Sequence, residues 1–192
     1  MDFFDSAYKG TPPWDIGRPQ KEFIELVRKG EITGSVLDIG CGTGEHALFF
    51  AREGHEVWAV DSAPLAIQKA QQKAAERGLT VQFFVLDALE LSTLTRTFDT
   101  ATDSGLFHTL SDEDRPVFVR NLAAILNPGG KYFMLCFSDL EPPGYGPRRI
   151  TRGEIRDSFS GGWTINYIRP AVFESRTRAE GPRAWLSSIS KK

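Results

Sequence analysis

Four aspartates, Asp38, Asp61, Asp87 and Asp103, each stand at the end of a short hydrophobic run. Three glycines on alternate positions, Gly40, Gly42 and Gly44, follow the first of them. Backbone N–H groups at a helix start favour an anion, whereas the carboxylates offer the opposite sign. A dinucleotide-binding loop reads G-x-G-x-x-G, and here Glu45 occupies the place of the third glycine. Asp38 and Glu45 would set negative charge beside a pyrophosphate, which Coulomb repulsion in a partly dry cleft opposes. An amino-acid zwitterion fits better, because its carboxylate can take N–H groups while its ammonium pairs with an acid. S-adenosylmethionine carries that zwitterion and a sulfonium cation besides, so Asp38 favours it.

The remaining chemistry-bearing residues extend this reading. The loop Gly40, Cys41, Gly42, Thr43 and Gly44 would line such a cofactor. Asp61 ends the second hydrophobic run, where an acid can accept from both ribose hydroxyls, a feature shared with nicotinamide sites. Asp87 is placed to accept from an adenine amino group, with the Ala88 N–H offered to the ring and Ser62 and Leu89 as walls. Asp103 completes the rim. His108 follows the fourth run and, with an ordinary pKa near ~6.5, either acts as a base or orients its loop. His46, just after the glycines, packs beside the methionine portion, and His55 is structural or exposed. The small side chain of Cys41 suits tight packing rather than nucleophilic attack. Arg148, Arg149 and Arg152 are surface charges or contacts to an ionised substrate.

Alternating strands and helices must position these groups. The pattern predicts an irregular, aromatic N-terminal arm to about residue 19, then a helix over about 19–29. Strands follow at 35–39, 56–60, 81–86, 98–103 and 132–137. Helices lie between them at 45–52, after Ser62 as a cap with Pro64 in the first turn, near 89–95, and after a Ser111/Asp114 capping pair. Asn127–Gly130 reads as a stop and turn. A loop over 139–147, a short helix over 151–159 and strands near 163–173 and 183–190 close the chain. This alternation implies a parallel sheet with helices on both faces, whose ligands bind beyond the carboxyl ends of the strands. The four aspartates occupy four successive ends.

A chain of 192 residues with 41% hydrophobic and 25% charged side chains is a single globular domain of ordinary composition. No apolar run approaches the roughly 20 residues of a membrane helix, and the start lacks the pattern of a signal peptide. Two distant cysteines without metal-like spacing read as free thiols of a cytoplasmic protein. Net charge is −2, with no global basic signature for nucleic acid. Residues 148–192 nevertheless hold 10 basic and 4 acidic side chains, a solvated face or a local attraction for an anionic substrate.

LDIGCGTG at 37–44, VDSA at 60–63, LDAL at 86–89 and LNPGGKYFM at 126–134, in that order, resemble the class I S-adenosylmethionine-dependent methyltransferases. The resemblance covers about 35–137 and implies a Rossmann-like seven-stranded sheet whose last strand is antiparallel. PPWDIGRPQ at 12–20, FDTATDSGLFHTL at 98–110 and CFSD at 136–139 are similar to the small-molecule branch. That branch holds thiopurine, thiol and halide methyltransferases and the bacterial heterocyclic-toxin methyltransferases of detoxification, the last being most similar. In it the arm folds over the cofactor, so residues 1–18 would be a lid with Trp14 and Gly17 against the methionine end. The implied acceptor is a small aromatic or heterocyclic O, N or S nucleophile, held by Tyr8, Trp14, Ser104, Phe107, His108, Ser138 and Tyr145. His108 and Ser104 would be the catalytic pair, S-adenosylhomocysteine the product, and a monomer or homodimer the working unit. A nicotinamide oxidoreductase is disfavoured by Asp38 and Glu45. Nucleic-acid amino-methyltransferases carry an Asn/Asp-Pro-Pro-aromatic stretch after the fourth strand, where this chain reads DSGLF.

Overall fold

The glycine loop hangs from β1 (Val36–Ile39), a four-residue strand buried throughout. In the computed structural model, which describes residues 3–144 and 146–192, β1 pairs in parallel with β2 (Val57–Asp61) and β4 (Phe98–Ser104). Beyond them lie β3 (Gln82–Val85) beside β2 and β5 (Leu126–Phe137) beside β4, both parallel. Then β7 (Arg183–Lys191) runs antiparallel between β5 and β6 (Trp163–Val172). The sheet order is β3-β2-β1-β4-β5-β7-β6. The chain winds outward in one direction from β1 and in the other from β4. The crevice beyond their carboxyl ends is therefore the switch point at which open α/β sheets bind ligands.

Side-chain alternation builds a core on each face of this sheet. Leu37, Ile39, Tyr132 and Met134 face one way, against Phe118 and Ile125 of α5 (Asp114–Ile125) and Ile155 of α6 (Arg152–Ser158). Val36, Phe133 and Leu135 face the other way. They meet Phe23 and Leu26 of α2 (Lys21–Arg28), Phe50 of α3 (Glu45–Arg52) and Ile67 of α4 (Pro64–Arg77).

Several local expectations are corrected. The arm is not wholly irregular, since Phe3–Ala7 form a short helix, α1, laid over the start of α4. Ser62 is exposed and does not cap α4. Asp61 instead accepts the Ala63 N–H at 2.9 Å, and Asp5 of α1 accepts the Leu65 N–H at 3.0 Å. The α4 terminus thus takes its polar partners from outside the helix. Asn127–Gly130 does not separate helix from strand. Leu126, next after the last residue of α5, already pairs with Phe98, and pairing resumes at Lys131 with Thr100. Ser111 does serve the start of α5, accepting the Asp114 N–H at 3.1 Å. A reciprocal capping box at α6, between Thr151 and Glu154, was not foreseen.

Gly44 carries the tightest packing of the loop. It opens α3 at φ 83°, and a Cβ there would lie 2.9 Å from Ala70 Cβ and 3.2 Å from Phe83 Cε1. Left-handed strain costs roughly 1–2 kcal/mol and overpacking roughly 1–3 kcal/mol more. Gly44→Ala should therefore destabilise the protein by about 2–4 kcal/mol, seen calorimetrically as a large fall in the unfolding temperature. A midpoint within about 2 °C of wild type, less than 1 kcal/mol for a chain of this size, would refute this packing account.

Candidate functional site

At the switch point the loop Gly40–Gly44 is held from below by an acid. The Gly42 N–H donates to Asp61 Oδ2 at 2.8 Å, and the Cys41 N–H donates to the Val60 carbonyl at 2.9 Å. Gly42 is at φ 53°, and a Cβ on it would stand 2.7 Å from Tyr8 Oη, so only a glycine admits this approach. Asp38 is buried. Its Oδ1 accepts from Thr102 Oγ1 at 2.8 Å, while Oδ2, sealed from solvent, has no hydrogen-bond partner. Burial pushes the Asp38 pKa up to about 7, with the negative charges of Asp103 and Asp61 adding to the rise and the Thr102 bond and the nearby Ala47 N–H opposing it.

Asp103 corrects the reading of four equivalent carboxylates. It is fully buried, with Oδ1 accepting the Leu106 N–H at 2.7 Å. Its Oδ2 accepts the Phe107 N–H at 2.9 Å and Tyr132 Oη–H at 2.8 Å. Burial raises its pKa to about 6 against those bonds. Asp103 shapes the turn after β4 from beneath rather than facing a cofactor. Asp87 is exposed, capping the short helix Ala88–Thr93 through the Leu89 N–H at 2.8 Å. With exposed Ser62, it lies at the outer rim, at the ends of β2 and β3.

Glu45 needs correction too. Lys73 donates to it at 2.7 Å and Arg77 at 2.8 and 2.9 Å, so it is ion-paired to α4 rather than aimed at a ligand. Those partners hold its pKa below the usual carboxylate value although burial pushes the other way. The electrostatic case against a pyrophosphate therefore rests on Asp38. Lys73 also donates to Thr43 Oγ1 at 2.7 Å, and Thr43 donates to Asp15 of the arm at 2.9 Å.

The arm lies across the loop. Tyr8 is buried, and its hydroxyl accepts from Trp14 Nε1 at 3.0 Å. Burial and the Asp61 charge raise the Tyr8 pKa despite the Trp14 bond. At its far end the arm is clasped by the β6–β7 turn. Gln20 Nε2 donates to the Glu174 carbonyl at 2.9 Å, and the Glu174 N–H donates to Gln20 Oε1 at 2.7 Å. Arg18 binds the Glu174 carboxylate through two nitrogens, at 2.9 and 2.8 Å. The cavity left beneath, lined among others by Tyr8, Trp14, Gly40, His46, Ser104 and Phe173, measures about 60 Å³. Ligand pockets run to roughly 300 Å³ and more, so the arm must shift to admit one.

Of the predicted acceptor residues Tyr8, Trp14 and Ser104 line that cavity, whereas Phe107, Ser138 and His108 do not, His108 lying behind the cavity-lining Phe173. Phe107 is fully buried in the core against Phe118 and Phe159. Ser138 is fully buried in the backbone frame joining β5 to residue 183. Tyr145 falls outside the described residues. His108 is buried, its Nδ1 accepting the Phe137 N–H at 3.1 Å, with the Phe137 and Phe173 rings 4.9 and 6.0 Å away. Burial, then the Arg149 charge, lowers its pKa to about 3. His46 lines the cavity and is also a joint: its Nε2 accepts the Gln20 N–H at 3.0 Å, and it stacks on Phe50. Arg148 is paired with Asp112 and Glu154, Arg152 lies over Trp185, and only Arg149 approaches the site, over Phe137. Phe137 and Phe173 were missed. Each reads as an ordinary strand residue, and only the closing strand pair brings Phe173 to the turn after β4.

Residues 36–130 match a family described as a methyltransferase domain. The chain is 39% identical over 182 residues to the 2-heptyl-1-hydroxyquinolin-4(1H)-one methyltransferase of Mycobacteroides abscessus, over 89% of this chain and 80% of that one. It is 27% identical over 195 residues to the probable thiol methyltransferase 2 of Arabidopsis thaliana, over 95% and 80% of the two chains. Among solved structures it resembles one from work on the conversion of a disulfide bond into a thioacetal group during echinomycin biosynthesis. That likeness has a TM-score of 0.90 and 35% identity, over 98% of this chain and 91% of the other. The chain belongs to the class I S-adenosylmethionine-dependent methyltransferases, in the branch that acts on small molecules. The orphaned Asp38 oxygen and the glycine cradle suit that cofactor's cationic, amino-acid end.

The raised Asp38 pKa has a consequence for stability. A carboxyl whose folded pKa lies above its unfolded value contributes stability at low pH that is lost as pH rises through the folded value. Here the window runs from the ordinary carboxylate range to about 7. Comparing wild type with Asp38→Asn cancels the other titrating groups. Without ligand, wild type should gain on the variant as pH falls from 8 to 5, by up to about 1.4 kcal/mol per pH unit. A pH-independent difference in denaturant unfolding would show that Asp38 is ionised throughout.

Proposed function

We propose that this enzyme methylates a flat aromatic or heteroaromatic small molecule on a hydroxyl, N-hydroxyl, ring nitrogen or thiol. The observation that carries the reading is the packed aromatic group of Phe137, Phe173 and His108, of which Phe173 lines the crevice together with Ser104. The hydroxyquinolone methyltransferase relative supports a heterocyclic acceptor, and the thiol methyltransferase relative keeps an aromatic thiol within the same class. When bound, S-adenosylmethionine supplies a methyl group already activated on a sulfonium.

The chain's own residues bind, orient and exclude water. Asp38 takes the ammonium through its unpartnered oxygen. Asp61, at the end of β2, takes the ribose hydroxyls. Asp87, the Ala88 N–H, Leu89 and Ser62 frame the base. Gly40 to Gly44 lie along the methionine portion. The arm, residues 1–18, closes as a lid, with Tyr8 and Trp14 pressed on the loop. Phe137 and Phe173 hold the acceptor ring against Ser104, and much of the rate comes from that fixed approach in a dry pocket. The working unit is a monomer or homodimer acting in the cytoplasm, with no role for nucleic acid.

A panel of hydroxyquinolones, phenols, thiols, halides and oligonucleotides, assayed for S-adenosylhomocysteine release, tests the acceptor class. Turnover confined to halides or oligonucleotides would overturn it. Asp61→Ala should weaken S-adenosylmethionine binding by about 1–3 kcal/mol, the scale of a lost charged hydrogen bond. Unchanged affinity by calorimetry would remove the ribose role. S-adenosylhomocysteine should also slow proteolysis of the arm, and equal cleavage with and without it would argue against a lid.

A further inference from the structure

We propose that His108 is a fixed hydrogen-bond donor that holds the acceptor in its deprotonated form through Nε2–H and takes no proton from it. The proposal rests on the aromatic-acceptor reading above and names the form in which that acceptor binds. A neutral imidazole has one lone pair and one N–H. Here the lone pair is committed, because Nδ1 accepts the Phe137 backbone N–H. The proton therefore sits on Nε2, which makes no hydrogen bond among the described residues. Turning the ring over would put a carbon against the Phe137 N–H and leave that donor unpaired, which buried backbone groups avoid. Protonating both nitrogens would set two N–H groups against each other, so the charged form is opposed by geometry as well as by burial.

The surroundings add positive rather than negative potential. The elements packed on the ring are β5 and β6, which present Phe137 and Phe173, and the loop before α6. That loop supplies the charged group acting on His108, Arg149, with its guanidinium 5.7 Å from the Phe137 ring centroid. A neutral N–H donor, apolar rings and a nearby cation make a place for an anion, not a place for a base. The acceptor class narrows to acidic nucleophiles: N-hydroxy heterocycles, acidic phenols and aromatic thiols. Such a molecule gives its proton to water before it binds. Its lone pair then takes the methyl carbon while the electron pair of the broken C–S bond stays on sulfur, and His108 is neutral before and after.

Two measurements test this. Nitrogen NMR of the full chain labelled with ¹⁵N-histidine, the His108 signals being assigned with His108→Gln, should show the Nε2–H form unchanged from pH 8 to 5. A Nδ1–H form, or titration near ~6.5, would overturn the proposal. Kinetics with thiophenols of graded acidity should give an acid limb in kcat/KM that moves with each acceptor's own pKa. A limb fixed at one pH for every acceptor would restore an enzymic base. His108→Leu should lower kcat/KM for ionised acceptors about 10- to 100-fold, the value of a hydrogen bond to a charge. His108→Gln, whose amide can donate, should recover most of that, and equal losses in both variants would contradict the donor role. The NMR reads the ring without turnover, so a wrong tautomer overturns the role of His108 alone. Absence of S-adenosylhomocysteine release with every acidic aromatic acceptor overturns the acceptor class beneath it.

Discussion

The Asp61 carboxylate bridges two backbone N–H groups, those of Gly42 and Ala63, and most of the site is referred to that bridge. Through Gly42 it fixes a loop whose glycines all sit at positive φ and would otherwise sample many shapes. Through Ala63 it sets the start of α4, on which α1 and Tyr8 come to rest. One charged acceptor at the end of β2 thereby couples the loop after β1, the helix after β2 and the arm. Charge-assisted bonds to backbone donors are among the stronger ones available, and burial strengthens them further.

Electrostatics then select the ligand. Asp38, Asp61 and Asp103 are buried close enough for their charges to raise the Asp38 pKa, whereas the cations nearest the loop, Lys73 and Arg77, are spent on Glu45. A site built this way repels a pyrophosphate and attracts a cation. The neutral Thr102 hydroxyl donates to Asp38 Oδ1, and the Ala47 N–H lies near the carboxylate, whose Oδ2 makes no well-formed hydrogen bond among the described residues. Beside the turn after β4 the balance reverses, with aromatic rings, a neutral imidazole and Arg149. The crevice is thus acidic around the glycine loop and faintly basic beside the turn after β4.

Much of this was legible in the residues because it is local. The buried run of β1, the glycines and α3 lie within seventeen residues, and their periodicity and turn chemistry agree. The acids at the strand ends were equally visible as a rim. Which of them face the crevice was not, because that depends on distant partners. Asp103 is turned inward by Tyr132, and Glu45 is turned aside by Lys73 and Arg77, one helix later. Phe107 and Ser138 looked like pocket residues from their place after strands, yet a hydrophobic side chain and a small hydroxyl at such positions are as easily buried beneath the turn. Phe173 reaches the site only because β7 inserts between β5 and β6, an arrangement no window of local sequence contains.

The clasp between Gln20 and Glu174 gives the molecule a polarity between its two ends. Four hydrogen bonds join Gln20 and Arg18 to Glu174 where the arm meets the body, whereas among the described residues its outer part meets α4 in polar contact through Asp5 and Lys69. The polar attachment of the arm is therefore densest at Gln20, with further bonds at Pro13 and Asp15 between the two ends. The other end of the chain is remote from all this. The last residues of β7 pair with Lys131, at the sheet edge opposite the crevice. An affinity tag or fusion partner hung ahead of α1 would therefore sit beside the loop Gly40–Gly44, and one placed after Lys192 would sit at the far end of the sheet.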